Sequence, residues 1–384
     1  MNTRKLCEIT ISLILISIIT GCSSNPASPT ITSPSNTAAV ETAVSETNSP
    51  FSENKVKQYD DVRGLDLSNQ VLGEELITSL TFDDTTIWSE NDKDIAQRIY
   101  SAGMTPPFGL RSLHAQGITG KGINVAIIDL PMDPHHPEIE GRIVEYVSFL
   151  DQDPAEVRFH GAAVSSILAG KNIGVAPEAN IYYLAVSTET MNAQNYAKAL
   201  DWVISKNQTL PEDEKIRVVS VSSIPSGVMS EYTNQSAWDR AYKRATDAGI
   251  LVLDCTLEHG YTLKCTYDLT DPDNIEKCNP DWIPAPMPLI PKVNVPTSRT
   301  VAGEYQVERY KINYTYLFTG IGGPSWGVPY LAGVLALGWQ INPKLTNTEI
   351  MQMVFDTAKI GVDEQRIINP VGFIDKVKST VTAQ

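Results

Sequence analysis

The chain has 384 residues, 42% of them hydrophobic and 20% charged, and a formal net charge of −15. That size and composition suit one large or two medium globular domains with an ordinary core. The acidic balance repels phosphate backbones and argues against nucleic acid as a partner; it sets no oligomeric state.

At the N-terminus, Arg4 and Lys5 precede the apolar run "ITISLILISIIT", residues 9–20. The run is too short to span a bilayer comfortably and reads as a secretory signal over residues 1–21. Ile19-Thr20-Gly21-Cys22 resembles the lipobox of bacterial lipoproteins. The resemblance implies cleavage before Cys22 and lipidation of its thiol, which would anchor the protein to the outer side of a cell membrane. An ordinary signal peptide with a chance cysteine is the alternative. Residues 22–55 continue with a Ser-, Thr- and Pro-rich stretch lacking apolar periodicity, expected to be a disordered spacer. Residues 56–104, with "ELITSLTF", are expected to form a short folded extension in which no chemistry is legible.

From about residue 105 to 384 the texture is that of a single α/β domain. "INVAIIDL", 123–130, is a continuous apolar run ending near Asp129, as in a buried parallel strand. A helix-like "HGAAVSSILAG" follows, then the strand "NIYYLAV", a helix over "NAQNYAKALDWVISK" and the strand "IRVVSVSS". A helix over "QSAWDRAYKRATDAG" and the strand "ILVLDC" complete the series. This alternation predicts βαβ units and a mostly parallel central sheet covered on both faces, a three-layer α/β fold. Functional residues of such folds collect at the carboxyl ends of strands, where Asp129 stands.

Asp129, His160 at the start of a helix, and Ser325 between a glycine-rich turn and an apolar helix occur in a chain order known for catalytic triads. A serine hydroxyl needs a base to become a nucleophile, and imidazole titrates in the right range. A carboxylate on the far ring nitrogen fixes the tautomer and stabilises the imidazolium. Spacing alone is weak, but the surrounding residues are specific. "VAIIDLPMDPHHPEI", "HGAAVSSILAG" and "GGPSWGVPYLAG" resemble the Asp, His and Ser motifs of the subtilisin-like serine peptidases, the subtilases. In these, Asp129 matches the acid, His160 the base and Ser325 the nucleophile, with Pro329 and Gly333 in register. "NIGVAPEANIYYLAV" is similar to the stretch that follows the histidine. The resemblance covers roughly residues 105–380. It implies a subtilisin-like fold, peptide or protein substrates, and no cofactor for the chemistry. Calcium sites are common in the family, but no ligand cluster here is distinctive enough to name. It also implies that an extended peptide pairs with an edge strand at Val221, Ser222 and Ser223.

The pattern breaks at one telling place. Where subtilases carry an asparagine that donates to the oxyanion, "GILVLDCTLEHG" puts Glu258. An ionised carboxylate accepts hydrogen bonds and donates none. Three accounts follow: Glu258 is protonated and donates; Thr256, His259 or Arg299 supplies the donor; or the protein binds peptides without cutting them. Milder departures are Ala162, Pro324, Trp326 and Gly327. A lipase or esterase is a distant third reading, because "GPSWG" fits G-x-S-x-G while His and Asp precede the serine.

Among the cysteines outside the signal, Cys255 closes an apolar strand with no evident base. Cys265 and Cys278 share one loop-like segment and are the expected pair if a disulfide exists. The spacings make no zinc signature. His135 and His136 are adjacent and seldom could both reach one ion, so a loop contact is expected. The proline-rich stretch 284–296 is expected to be extended and is a candidate specificity loop beside the cleft, or else a surface insertion.

Overall fold

The computed structural model describes residues 55–150, 159–187, 190–280, 290–308, 311–361 and 364–382. Cys22, the expected signal and all but the last residue of the expected spacer lie outside these. Among the described residues no helix is long and apolar enough to cross a membrane.

In chain order, an N-terminal part holds α1 (Glu74–Ile77), β1 (Thr81–Asp83), α2 (Lys93–Gly103) and α3 (Leu110–Ala115). The alternating part follows: β2 (Asn124–Asp129), β3 (Ile143–Ser148), α4 (Phe159–Ala169), β4 (Asn180–Ala185), α5 (Ala193–Asn207), β5 (Ile216–Val221), α6 (Gln235–Asp247) and β6 (Leu251–Leu253). Then come β7 (Thr262–Thr266), β8 (Asn279–Pro280), β9 (Val293–Pro296), β10 (Arg299–Glu308) and β11 (Lys311–Thr319). The chain closes with α7 (Pro324–Ile341), α8 (Asn347–Thr357), β12 (Lys359–Ile360), β13 (Arg366–Ile367) and α9 (Pro370–Thr382).

The strands β3-β4-β2-β5-β6 form one sheet, parallel throughout. Alternate residues of a strand face opposite sides, so β2 feeds two cores. Val125 and Ile127 pack with α4, α7 and α9, whereas Ala126 and Ile128 pack with α5 and α6. That is the expected three-layer arrangement. Because β2 lies between β4 and β5, the order reverses at it, and a crevice opens beyond its carboxyl end. The helix α7 is apolar all round and is buried from Trp326 to Trp339, as a helix in the middle of a core must be.

The order also corrects one expectation. Strand β5 is interior, flanked by β2 and β6, so Val221 is buried in the sheet and forms no edge. Residues 293–296 of the proline-rich stretch are the buried strand β9, bonded to β7 and β13, and are core, not loop. Residues 284–289 of that stretch lie outside the described residues.

Two features went unread in the sequence. A long hairpin, β10–β11, packs against α4. The N-terminal part docks onto it: β1 pairs with β11 in the register Thr81↔Thr319, and Phe82, Leu80 and Ile99 bury against Phe318. The Gly320 N–H then donates to the Leu80 carbonyl at 2.9 Å. The segment that leads into Ser325 is thus braced by the extension.

Candidate active site

Asp129 ends β2 with its side chain only 4% exposed, and the Leu130 N–H fixes one carboxylate oxygen at 2.8 Å. The same oxygen lies 2.7 Å from His160 Nδ1. An ionised carboxylate can only accept, so Nδ1 carries the proton and Nε2 of the neutral ring is left as a base. Burial alone would lower the His160 pKa, but the charge and hydrogen bond of Asp129 outweigh it and the net shift is upward from 6.5. The ring remains 24% exposed, open to the crevice.

The contact depends on a missing side chain. At Gly161 the first turn of α4 presses on the backbone after Asp129, so that a Cβ would overlap the Tyr183 hydroxyl and the Leu130 carbonyl oxygen. Tyr183 donates to that carbonyl and seals the joint. The buried His136 and Glu138 brace it from behind. His136 Nε2 meets the Gly303 carbonyl of β10 at 3.1 Å. Glu138 accepts from the backbone of Asn172 and Ile173 and from the Tyr316 hydroxyl. The expectation of a loop contact for this histidine pair holds for His136.

Ser325 sits half-buried in the first turn of α7, after Pro324, which needs no N–H there. Pro329 also lacks an N–H, which deprives the Ser325 carbonyl of its helical donor four residues on. Ser222 supplies the replacement: its hydroxyl donates to the Ser325 carbonyl at 2.8 Å. In return the Ser325 hydroxyl donates to the Ser222 carbonyl at 3.3 Å. Trp326, the next residue, lays its ring against the His160 imidazole with centroids 5.3 Å apart, and its Nε1 donates to Thr319 at 2.8 Å. Asp129 and His160 are therefore in direct contact, and Ser325 is one residue from the tryptophan that backs the imidazole. Ser222 and Trp326 are the partners that sequence reasoning missed. Pro329 was the available signal, since it orphans a carbonyl at a known place.

Around the oxyanion register the polar groups are largely spoken for. Glu258 is half-buried and turned to the loop after β5, with Oε1 accepting from the Val228 N–H at 3.1 Å. The Thr256 hydroxyl donates to the buried Asp254 at 2.7 Å and accepts from the His259 N–H. His259 stacks on Tyr242 and lies 3.6 Å from Asp254, whose carboxylate raises its pKa. Arg299 is wholly buried and donates to the Ile173 carbonyl, so it is no donor for this site. The buried Lys292 was not anticipated; its ammonium donates to the Gly260 carbonyl, and burial lowers its pKa. The remaining donor is the Ser325 N–H, in the first turn of an 18-residue helix where backbone donors lack helical acceptors.

The expected substrate-pairing row is altered in the same way. The Ser222 carbonyl takes the Ser325 hydroxyl and the Ser223 carbonyl takes the Cys255 N–H, so each already accepts one hydrogen bond. Cys265 and Cys278 are both buried and are free thiols, not a disulfide. Cys255 is also free, and burial pushes its thiol well above the usual range, which removes it as a nucleophile. Among the described residues no group of three or more His, Cys, Asp or Glu side chains is arranged to hold a metal ion.

Residues 120–274 match the model of the Subtilase family, a stretch that includes Asp129, His160 and Glu258 and ends before Ser325. The chain is 24% identical over 305 residues to serine protease AprX of Bacillus subtilis, covering 69% of this chain and 68% of that protein. Two solved structures share the fold. A protease of Pseudoalteromonas arctica superposes with a TM-score of 0.51 at 15% identity, over 72% of this chain and 98% of the other. Fervidolysin of Fervidobacterium pennivorans, a keratinolytic enzyme related to subtilisin, superposes with a TM-score of 0.50 at 16% identity, over 70% of this chain. The match spans 45% of the fervidolysin chain. Fold, motifs and matches agree: over residues 120–274 the chain matches the subtilase family, the subtilisin-like serine peptidases, and it shares the fold of its solved neighbours.

Proposed function

We propose that this protein is an extracytoplasmic serine endopeptidase, tethered by a lipid on Cys22, that hydrolyses peptide bonds with Asp129, His160 and Ser325. The observation that carries the reading is the 2.7 Å contact between Asp129 and His160 Nδ1 at the strand-order reversal. It leaves Nε2 as an acceptor, and Ser325 is the neighbour in sequence of Trp326, whose ring packs against the imidazole. For attack, the Ser325 hydroxyl leaves the Ser222 carbonyl and gives its proton to Nε2. His160 later returns a proton to the leaving amine, and Asp129 holds the ring and stabilises its charge. The Ser325 N–H and the positive end of α7 receive the oxyanion. Losing one side-chain donor at such a site typically costs about 10²–10³ in turnover, so a slow peptidase is expected.

Glu258 favours a second reading, a peptide-binding module that does not cut. A fluorophosphonate probe separates the two. The purified protein should be labelled covalently and the Ser325→Ala variant should not. Equal labelling of both, or of neither, overturns the peptidase reading.

A further inference from the structure

We propose that Glu258, framed by Val228, Met229 and Leu257, selects a lysine or arginine at the residue contributing the scissile carbonyl; this rests on the peptidase reading above. Ser222, bonded both ways to Ser325, begins the loop that runs to Met229. A peptide whose carbonyl lies at Ser325 must therefore run past this loop. Six residues on, the loop meets Glu258. Its carboxylate is fixed by the Val228 N–H and lies so close over Gly227 that a Cβ there would overlap Oε2 and sit 2.9 Å from Cδ. Gly227, at φ +93°, is what admits this approach.

The rim of the same two loops is apolar. Val228 is 80% exposed, Met229 43% and Leu257 42%, and all three adjoin Glu258 in sequence or through the Val228 contact. Large apolar side chains left exposed on adjoining loops mark a contact surface. An aliphatic stem ending in a cation fits both halves: the stem covers the apolar rim and the head meets the carboxylate. A purely apolar side chain would strip water from Glu258 with nothing in return, and an acidic one would be repelled. Two basic groups, Lys292 and His259, lie within the field of Glu258. Asp254 adds a second carboxylate facing both, the Lys292 ammonium is buried and turned to the Gly260 carbonyl, and His259 lies 3.6 Å from Asp254. The net charge of −15 further draws cationic peptides to the surface.

The test uses the full chain in detergent and peptides that differ only at the residue before the scissile bond: lysine, arginine, norleucine or glutamate. Norleucine keeps the lysine stem and lacks the cation. Charge-assisted pairing predicts a lysine-to-norleucine ratio in kcat/KM of about 10-fold, collapsing toward one in Glu258→Gln. The ratio within each protein is the readout, so a change in overall rate does not enter. The same ratio is read as peptide affinity by fluorescence anisotropy on Ser325→Ala, which needs no catalysis. A ratio near one in either assay, or a ratio that survives Glu258→Gln, overturns the inference. Absence of probe labelling with the affinity ratio intact would instead remove the peptidase reading and leave the basic-residue pocket standing.

Discussion

Replacing Gly161 with alanine tests whether the Asp129–His160 contact is built by close packing of α4 on the end of β2. The added Cβ would overlap the Leu130 carbonyl oxygen and the Tyr183 hydroxyl, and it would sit 3.1 Å from the Met132 Cβ. Two of the three obstacles are held by the backbone and by a buried ring, so the helix turn must give way. Restoring ordinary contact, about 3.5 Å, asks for a shift of about 1 Å at the residue beside His160. Added to the present 2.7 Å, such a shift takes Nδ1 out of hydrogen-bond range of Asp129. Misplacement on this scale lowers rates by about 10²-fold. The assay is kcat/KM on a peptide substrate, with urea unfolding alongside to separate misplacement from loss of fold. Gly161→Ala with unchanged kcat/KM and unchanged stability would refute the close-packing account.

Two pH experiments follow from the same geometry. Because the His160 pKa is raised above 6.5 and the neutral ring is the base, activity should fall as pH drops through a value above 6.5. Asp129→Asn should move that acid limb to lower pH as well as slow the reaction, and an unmoved limb would dissociate the shift from Asp129. Glu304, on β10 against the Asp133 N–H and near Tyr146 and Tyr183, is held protonated by burial and by the Asp133 charge, with its pKa pushed up to about 8 from 4.5. A raised carboxyl pKa contributes stability present below 4.5 and lost as pH rises to about 8. Glu304→Gln should therefore gain about 2–4 kcal/mol over the native chain at pH 9 and little at pH 5 in urea unfolding. An equal difference at both pH values would contradict this.

Local pattern carried the reading as far as local pattern reaches. The apolar run ending at Asp129, the small-residue helix after His160 and the all-apolar helix after Ser325 each announce their burial within a dozen residues. The order of strands does not, because periodicity reports which faces are covered and not which strand lies beside which. Hence Val221, Ser222 and Ser223 read as an edge although β6 lies beside β5. Side-chain direction at Glu258 was illegible for a similar reason. Its hydrogen-bond partner, Val228, is thirty residues away in another loop. The β10–β11 hairpin was missed although "VAGEYQVERYKINYTYLF" carries the alternation of a two-sided strand pair. The docking of β1 on it spans over two hundred residues of chain and leaves no mark in a three-residue strand.

The pairing of β1 with β11 makes the place of any proteolytic nick decisive. A cut upstream of Lys55 frees a molecule in which every described contact persists. A cut between Asp83 and Lys93 instead frees the short strand whose Leu80 carbonyl holds Gly320, five residues before the nucleophile. Under the proposed lipid tether, shedding from a surface and silencing in place would then be separate outcomes of cleavage along one short length of polypeptide.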